Sequence, residues 1–378
     1  MLSRVVPRRL LRINIGTLLL VALVARLLFL SVVVLPHLEG GVLHKDDTRW
    51  FDQQAQEIAF QGQNHLDYPE WFILYYMAGI YRVFGHSLIA LGLAQIAVSV
   101  FVCLCIYHLG KFLYTPTSGL WAAAGFALYP EAIYWAPFPM KDSLVALELV
   151  LLLYCALCLA RKRSPFLFGA AFAVASGALY ATRPCYVVFP VLILFLALLY
   201  RLPSWRWRLA CLAVAGVGLW PLCSLIGSHL TSTVPRVIWD PVLREFMPIT
   251  ILQRSWYQPS YIVPRMALAV KDVWALVPRE GYGRWGILLG PFAFAMLATG
   301  VYGVMKSAWE WKKNSYWLLV AIPLLCFTFL LGITVFGIRF RYPLLPLMWV
   351  FAGYGMYSLA RSIRSTATRV REDARAGG

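Results

Sequence analysis

A succession of long apolar runs is the feature of this sequence that most limits its fold. About ten segments are long enough to cross a bilayer, which takes roughly 20 helical residues. They lie at 15–36, 89–112, 117–137, 140–160, 165–182, 185–200, 209–228, 285–305, 316–336 and 342–360. Only 13% of the residues are charged, which is too little polar surface for a water-soluble globule. The sequence therefore predicts an all-α polytopic membrane protein with about ten transmembrane helices.

The apolar runs fill most of the chain and leave no room for a soluble module. We predict one membrane domain at 1–365 and a short cytoplasmic tail at 366–378. Two polar intervals interrupt the membrane domain: a first external loop at 37–88 and a second at 229–284.

The segment 69–85 is either a further span or an aromatic-rich helix lying flat at the membrane surface. Short cytoplasmic loops collect Lys and Arg. If the segment lies flat and the N-terminus is inside, more than half of the 34 Lys and Arg residues fall on the cytoplasmic side, against three acidic residues. If it crossed, the basic clusters at 161–163, 201–208 and 306–313 would all face out. We therefore predict a flat helix, and a multi-pass protein of the cell (inner) membrane with both termini in the cytoplasm.

The formal net charge of +17 follows from this topology. In a soluble protein an excess of this size would suggest a nucleic-acid partner. Here the excess lies almost wholly in cytoplasmic segments, and the outer side is nearly neutral. We predict membrane lipid as a partner and no nucleic acid.

The first external loop is the chemically rich one, because seven of the 17 acidic residues lie between positions 39 and 70. Phe51, Ala55 and Ile58 follow the rhythm of an amphipathic helix. Asp46 and Asp47 lie at its start, where a carboxylate can cap free backbone N–H groups. A cap needs only one of them, so the other is available for chemistry.

At these residues the sequence resembles a known family. DDTRWFDQQAQEIAFQG (46–62) is similar to the first-loop signature of GT-C glycosyltransferases, in which an acid precedes an aromatic residue, Ala and Gly. YPEWFILYYMAGIYRVFG (68–85) resembles the juxtamembrane helix that follows it. The mid-span Arg26 and the stretch RFRYPLLPLMWVFAGYG (339–355) fit as well. The chain departs from the family at Pro69-Glu70, where Pro-Pro is common, and at Phe51, where Tyr is common.

The resemblance implies a GT-C fold of the protein mannosyltransferase or aminoarabinose transferase kind. Such enzymes move a sugar from a polyprenyl-phosphate-linked donor to an acceptor at the external membrane face, here a lipid-linked or cell-envelope glycan. The transfer needs a base for the acceptor's proton and positive charge for the leaving phosphate. The resemblance gives the role of base to Asp47, with Asp46 second.

Arginine and lysine at external span ends are the candidates for the donor phosphate, since a guanidinium holds phosphate oxygens in a fork. These candidates are Arg341, Arg339, Arg183 and Lys141. Asp142 and Asp52 are further site candidates. The sequence contains no cofactor motif and no metal-ligand spacing; beyond the polyprenyl-phosphate sugar itself we predict no certain cofactor, with a divalent metal left open.

Two other functions remain open at this point. A transporter or flippase of lipid-linked glycans would show repeat symmetry and interrupted helices with polar groups near the midplane. A polysaccharide polymerase or ligase would use a long external loop between late spans, and the loop 229–284 is a candidate.

Arg26 and Glu148 are formal charges deep within predicted spans. Because intramembrane charges are costly and usually paired, we expect the two side chains to face each other.

The flat orientation of 69–85 is testable by accessibility. A cysteine placed at Ser87 should react with a membrane-impermeant thiol reagent added outside, because the flat model places this residue on the external face. Protection from the outside reagent would show that 69–85 crosses the membrane.

Overall fold

The computed structural model describes residues 14–37, 47–66, 68, 70–186, 188–202, 237–240, 245–248, 285–310, 314–334 and 342–376. The helices within these residues are α1 (Ile15–Phe29), α2 (Asp47–Phe60), α3 (Trp71–Phe84), α4 (Leu88–Leu113), α5 (Pro116–Leu128), α6 (Pro130–Trp135), α7 (Asp142–Ala160), α8 (Pro165–Thr182), α9 (Val188–Leu199), α10 (Trp285–Trp309), α11 (Leu318–Thr334) and α12 (Leu345–Ala376). An antiparallel hairpin of β1 (Val237–Asp240) and β2 (Glu245–Pro248) lies within the predicted second external loop. The predicted helical class is confirmed.

Five helical segments of the described chain have the length and apolar composition of membrane spans. They are Ile15–Val34, Leu88–Leu113, Asp142–Ala160, Pro165–Thr182 and Leu289–Trp309. The first reaches this length because a π-helical turn, Leu30–Val34, continues α1. Val188–Leu199 and Ser315–Thr328 are shorter apolar helices, and the predicted span 209–228 lies outside the described residues. The count of ten spans therefore stays a prediction.

Glycines allow the backbones of α10 and α12 to approach each other closely. A Cβ added to Gly303 would lie 2.0 Å from the Phe351 carbonyl oxygen, and one on Gly355 would lie 2.1 Å from the Thr299 carbonyl oxygen. Backbones approach this closely only where a side chain is absent, which is a common basis of helix association in membranes.

The predicted span 117–137 consists of two helices, α5 and α6. The prediction of one continuous helix over these residues was therefore wrong. Pro130 has no N–H to donate, and it restricts the residue before it to extended backbone. Tyr129 accordingly has φ −68° and ψ 120°. Arg26 on α1 donates from Nη1 to the Ala127 carbonyl at 3.0 Å, so a side chain binds a carbonyl in the last turn of α5.

The expected pair of Arg26 and Glu148 does not form, and that expectation was also wrong. The fully buried Arg26 donates from Nε to the Ser99 hydroxyl at 2.9 Å and from Nη1 to two carbonyl oxygens. Glu148 on α7 instead accepts from the Thr182 hydroxyl of α8 at 2.7 Å. Each charge is bound by uncharged groups of its own neighbours.

The two helices of the first external loop form a unit that packs on the bundle. The amphipathic pattern predicted for α2 is confirmed, because Phe51, Ala55 and Ile58 are buried against α3. Leu91 of α4 and Leu144 of α7 complete the same apolar cluster. α3 has 14 residues, about 21 Å at the rise of an α-helix, which is less than the apolar thickness of a bilayer. Its flat orientation stays a prediction.

The C-terminal helix α12 continues through most of the predicted tail. It runs without a break from Leu345 to Ala376, and residues 361–370 are exposed. The boundary drawn at residue 366 thus lies inside a helix rather than at its end.

The turn between α7 and α8 closes α7 in a conformation that usually requires glycine. Arg163 N–H donates to the Cys158 carbonyl at 2.9 Å and Lys162 N–H to the Leu159 carbonyl at 3.0 Å, which is the Schellman pattern. Lys162 has φ 58°, and Ser164 in the same turn has φ 33°. A residue with a side chain loses about 1 kcal/mol or more of conformational free energy in the left-handed region. Lys162 therefore occupies this position at the expense of stability.

Replacing Lys162 with Gly should therefore raise the free energy of unfolding by about 1 kcal/mol, because glycine adopts this conformation without strain. The increase is measured as a higher Tm of the purified protein in detergent. Lys162→Ala is the matched control: it removes the same charge, keeps the strain and should give no gain. An equal Tm for the two variants would contradict the strain at this position.

Candidate functional site

Buried charges gather where the first loop meets the start of α7 and the end of α8. Lys141 and Asp142 lie at the start of α7, and Arg183 directly follows α8, which returns antiparallel to α7. Glu70 directly precedes α3. These residues, Glu70, Lys141, Asp142 and Arg183, are called the four-charge cluster below.

Lys141 joins the first loop to the bundle. Its ammonium contacts the Glu70 carboxylate and lies 5.3 Å from the centre of the Phe51 ring on α2. The lysine is 6% exposed. Burial lowers the pKa of Lys141, against the opposing effect of the Glu70 carboxylate. Lys141 therefore contacts two elements of the loop at once, one through charge and one through an aromatic face.

The second pair joins α7 to the end of α8. Arg183 donates from Nη1 to the Asp142 carboxylate at 3.3 Å, and its guanidinium lies 5.0 Å from the centre of the Tyr186 ring. Both members of the pair are buried. Asp142 is also the first residue of α7, where a carboxylate interacts favourably with the positive end of the helix dipole.

The cluster is therefore built from two cations and two carboxylates. Taking such charges out of water costs several kcal/mol each, and the cost is recovered only when the partners are in place. The sequence-based candidates Lys141, Asp142 and Arg183 are brought together by this arrangement. Glu70 was missed as a member, although its position after Pro69, where the family often has a second proline, was the available signal.

Asp52, another sequence-based candidate, lies in a separate contact network between α2 and the end of α3. Its carboxylate accepts a hydrogen bond from the Tyr81 hydroxyl, lies 3.1 Å from His86 Nε2 and accepts from Gln56 Nε2 at 3.0 Å. Burial raises the pKa of Tyr81, and the Asp52 carboxylate raises it further, which keeps the hydroxyl protonated as a donor. The aspartate therefore holds α2 against α3. Sequence reasoning missed Tyr81 and His86.

Asp47, the predicted base, is the first residue of α2. It precedes Phe51 by four residues, so the two positions lie one turn apart on the same face of the helix. Since the Phe51 ring contacts Lys141, this face of α2 is the one next to the four-charge cluster. Asp46, Arg339 and Arg341 lie outside the described residues.

A metal site would need several ligand side chains close together. Among the described residues, no three His, Cys, Asp or Glu side chains lie together as a set that could hold an ion.

A family model and two solved structures match this chain. Residues 69–226, less than half of the chain, match the family model of dolichyl-phosphate-mannose-protein mannosyltransferases. The structure also superposes on the crystal structure of the Archaeoglobus fulgidus oligosaccharyltransferase in its apo form, with a TM-score of 0.56 and 13% identity over 96% of this chain and 52% of that one. The chain therefore has the fold of about half of that archaeal enzyme. The predicted resemblance to GT-C membrane glycosyltransferases is thereby confirmed.

A second structure of the archaeal enzyme, in complex with Zn and sulfate, matches with a TM-score of 0.50 and 15% identity over 87% of this chain and 47% of that one. The chain thus spans about half the length of the archaeal oligosaccharyltransferase. Comparison with curated proteins gave no match.

The pair of Glu70 and Lys141 can be tested by a double-mutant cycle. Glu70→Gln should lower the free energy of unfolding by about 3–5 kcal/mol, because it leaves the buried Lys141 ammonium without its partner. Lys141→Met should cost less, because it leaves the half-buried Glu70 carboxylate, which water still reaches. The double variant should be more stable than either single variant. Unfolding in detergent, followed by Tm, measures all three.

The more solvent-accessible pair of Lys306 and Glu310, 3.1 Å apart, provides the control. Lys306→Met should cost no more than about 0.5 kcal/mol, because solvent screens a pair at the surface. Additive losses in the cycle, with no recovery in the double variant, would show that Glu70 and Lys141 do not stabilise each other.

Proposed function

We propose that this protein transfers a sugar from a polyprenyl-phosphate-linked donor to a lipid-linked or cell-envelope glycan acceptor, at the external membrane face, with Asp47 as general base. The supporting observation is the placement of position 47 at the start of α2, on the helix face that carries Phe51 and contacts the four-charge cluster. The GT-C-type fold supports the reaction class.

The chemistry follows from the donor. The Asp47 carboxylate takes the proton of an acceptor hydroxyl, the hydroxyl oxygen bonds to the anomeric carbon, and the bond from that carbon to the phosphate oxygen breaks. The leaving group departs as a phosphate anion, so no acid needs to protonate it. One carboxylate is enough, in contrast to a retaining glycosidase, which uses two.

The positive charge for the leaving phosphate is assigned to Arg339 and Arg341. They lie two residues apart, directly before the turn that leads into α12. Lys141 and Arg183 each lie beside a carboxylate, which lowers their net positive charge and so weakens their attraction for a second anion. Within this proposal the two paired cations hold the loop in place, and the arginines before α12 bind the donor phosphate.

A transporter would share the interrupted helix at Pro130 and the buried charges Arg26 and Glu148. In the interrupted helix the Ala127 carbonyl is already bound by Arg26, which is itself fixed by Ser99. This contact gives the break a structural role within the bundle and leaves the proposed transferase as the function with the better support.

Replacing Asp47 with Asn should lower the transfer rate by about 10²–10⁴-fold, which is the usual contribution of a general base. The measurement is sugar transfer by the purified protein in proteoliposomes supplied with polyprenyl-phosphate sugars, with mass spectrometry of the lipid-linked products. The Tm should stay close to that of the unchanged protein, because the side chain is replaced by an isosteric amide.

Asp46→Asn is the matched control, since it removes a neighbouring carboxylate of the same kind. It should retain most of the activity. Loss in Asp46→Asn alone would move the base to Asp46, and full activity in both variants would remove an aspartate base from the proposal.

A further inference from the structure

A second group of cations lies at the opposite ends of α7 and α8, in the turn that the loop charges place in the cytoplasm. The guanidinium carbon of Arg161 lies 4.2 Å from the centre of the Phe112 ring on α4, and that of Arg163 lies 5.1 Å from the same centre. Two like charges thus share one aromatic ring. Such contacts orient guanidinium planes but do not neutralise them.

Aromatic residues and a third arginine extend this group. Arg161 also lies 4.8 Å from the Tyr316 ring, which stacks on Tyr200 with centroids 5.1 Å apart. Next along the chain, Arg201 donates from Nε to the Leu159 carbonyl in the last turn of α7 at 2.9 Å. Its Nη2 is buried and has no hydrogen-bond partner. A buried donor without a partner normally costs free energy.

No carboxylate balances these charges in the described part of the chain. None of its ion pairs includes Arg161, Lys162, Arg163 or Arg201. The sequence at 203–236 and 311–313 contains no Asp or Glu either. Glu310 is paired with Lys306.

The backbone conformation of Lys162 also indicates that a basic residue is retained in this turn. Lys162 occupies a left-handed position that glycine would take without strain. Left-handed positions held by other residues concentrate at functional sites, where the surroundings impose them. The turn therefore retains three consecutive basic residues at a cost in backbone energy, and none of the carboxylates that the structure describes is paired with them.

We propose that the cationic turn, defined as Arg161, Lys162, Arg163 and Arg201 with the rings of Phe112 and Tyr316, binds the phosphate of an anionic lipid headgroup. Guanidinium groups hold phosphate oxygens in a fork, and the two rings keep the guanidiniums of Arg161 and Arg163 close together. The turn joins two apolar helices long enough to span a membrane, so it lies at the depth of the headgroups. This site is separate from the four-charge cluster and does not depend on the proposed transferase reaction.

Native mass spectrometry of the purified full-length chain tests the proposal. The detergent-solubilised protein is titrated with phosphatidylglycerol and, in parallel, with phosphatidylcholine, whose phosphate is neutralised within its own headgroup. We expect preferential retention of phosphatidylglycerol, and a loss of roughly tenfold in its affinity in the double variant Arg161→Gln/Arg163→Gln. An unchanged affinity in this variant would overturn the proposal.

Arg361→Gln/Arg364→Gln is the matched control, because it removes the same charge from the exposed part of α12. It should leave the affinity for phosphatidylglycerol unchanged, and an equal loss in both double variants would reduce the effect to overall charge. If the glutamine variant does not fold, Arg161→Lys/Arg163→Lys decides, because it keeps the charge and removes the fork. A weaker preference in that variant supports the site, and an undiminished one overturns it.

A third arm distinguishes the source of the phosphate. Inorganic phosphate at millimolar concentration should not displace phosphatidylglycerol, since a lipid headgroup is held at the membrane surface and free phosphate is not. Displacement at that concentration would show that the turn binds free phosphate and would overturn the assignment to lipid.

Discussion

A polar group in the water-free interior of this protein must find its partner within the protein, and the described structure depends on that constraint. Arg26 meets it with the Ser99 hydroxyl and backbone carbonyls, and Glu148 with the Thr182 hydroxyl, although one terminal atom of each, Nη2 and Oε2, has no hydrogen-bond partner among the described residues. These contacts connect different helices. Polar residues thus stabilise pairs of helices where apolar packing alone would leave them free to slide, since lipid is as apolar as the helix surfaces.

The same constraint makes the candidate site dependent on the bundle. Lys141 at the start of α7 is buried and requires Glu70, and Glu70 belongs to the first loop. The loop is therefore fixed relative to α7 by an interaction that is strong only while water is excluded. A catalytic carboxylate at position 47 needs such fixing, because a base works only at hydrogen-bond distance from the proton it removes.

Local patterns in the sequence predicted local structure well, and pairwise contacts poorly. The rhythm of Phe51, Ala55 and Ile58 predicted the buried face of α2, because amphipathic periodicity is a property of consecutive residues. The expected partner of Arg26 was wrong, because charge complementarity does not identify neighbours when hydroxyls and carbonyls serve equally well. The structure places the site candidates Lys141, Asp142 and Arg183 together, and their role stays a prediction. The contact with Glu70 depends on how α3 packs, which no local pattern encodes.

The basic residues at the two ends of α7 have different kinds of partner. At its start, Lys141 and Arg183 each lie beside a carboxylate. At its end, Arg161 and Arg163 lie on an aromatic ring, and the described residues supply no carboxylate to either. Loop charge alone would account for basic residues at the second end, because cytoplasmic loops collect them. It does not account for two guanidiniums on one ring or for a lysine in a left-handed turn, and these two features are what the proposed lipid phosphate would explain.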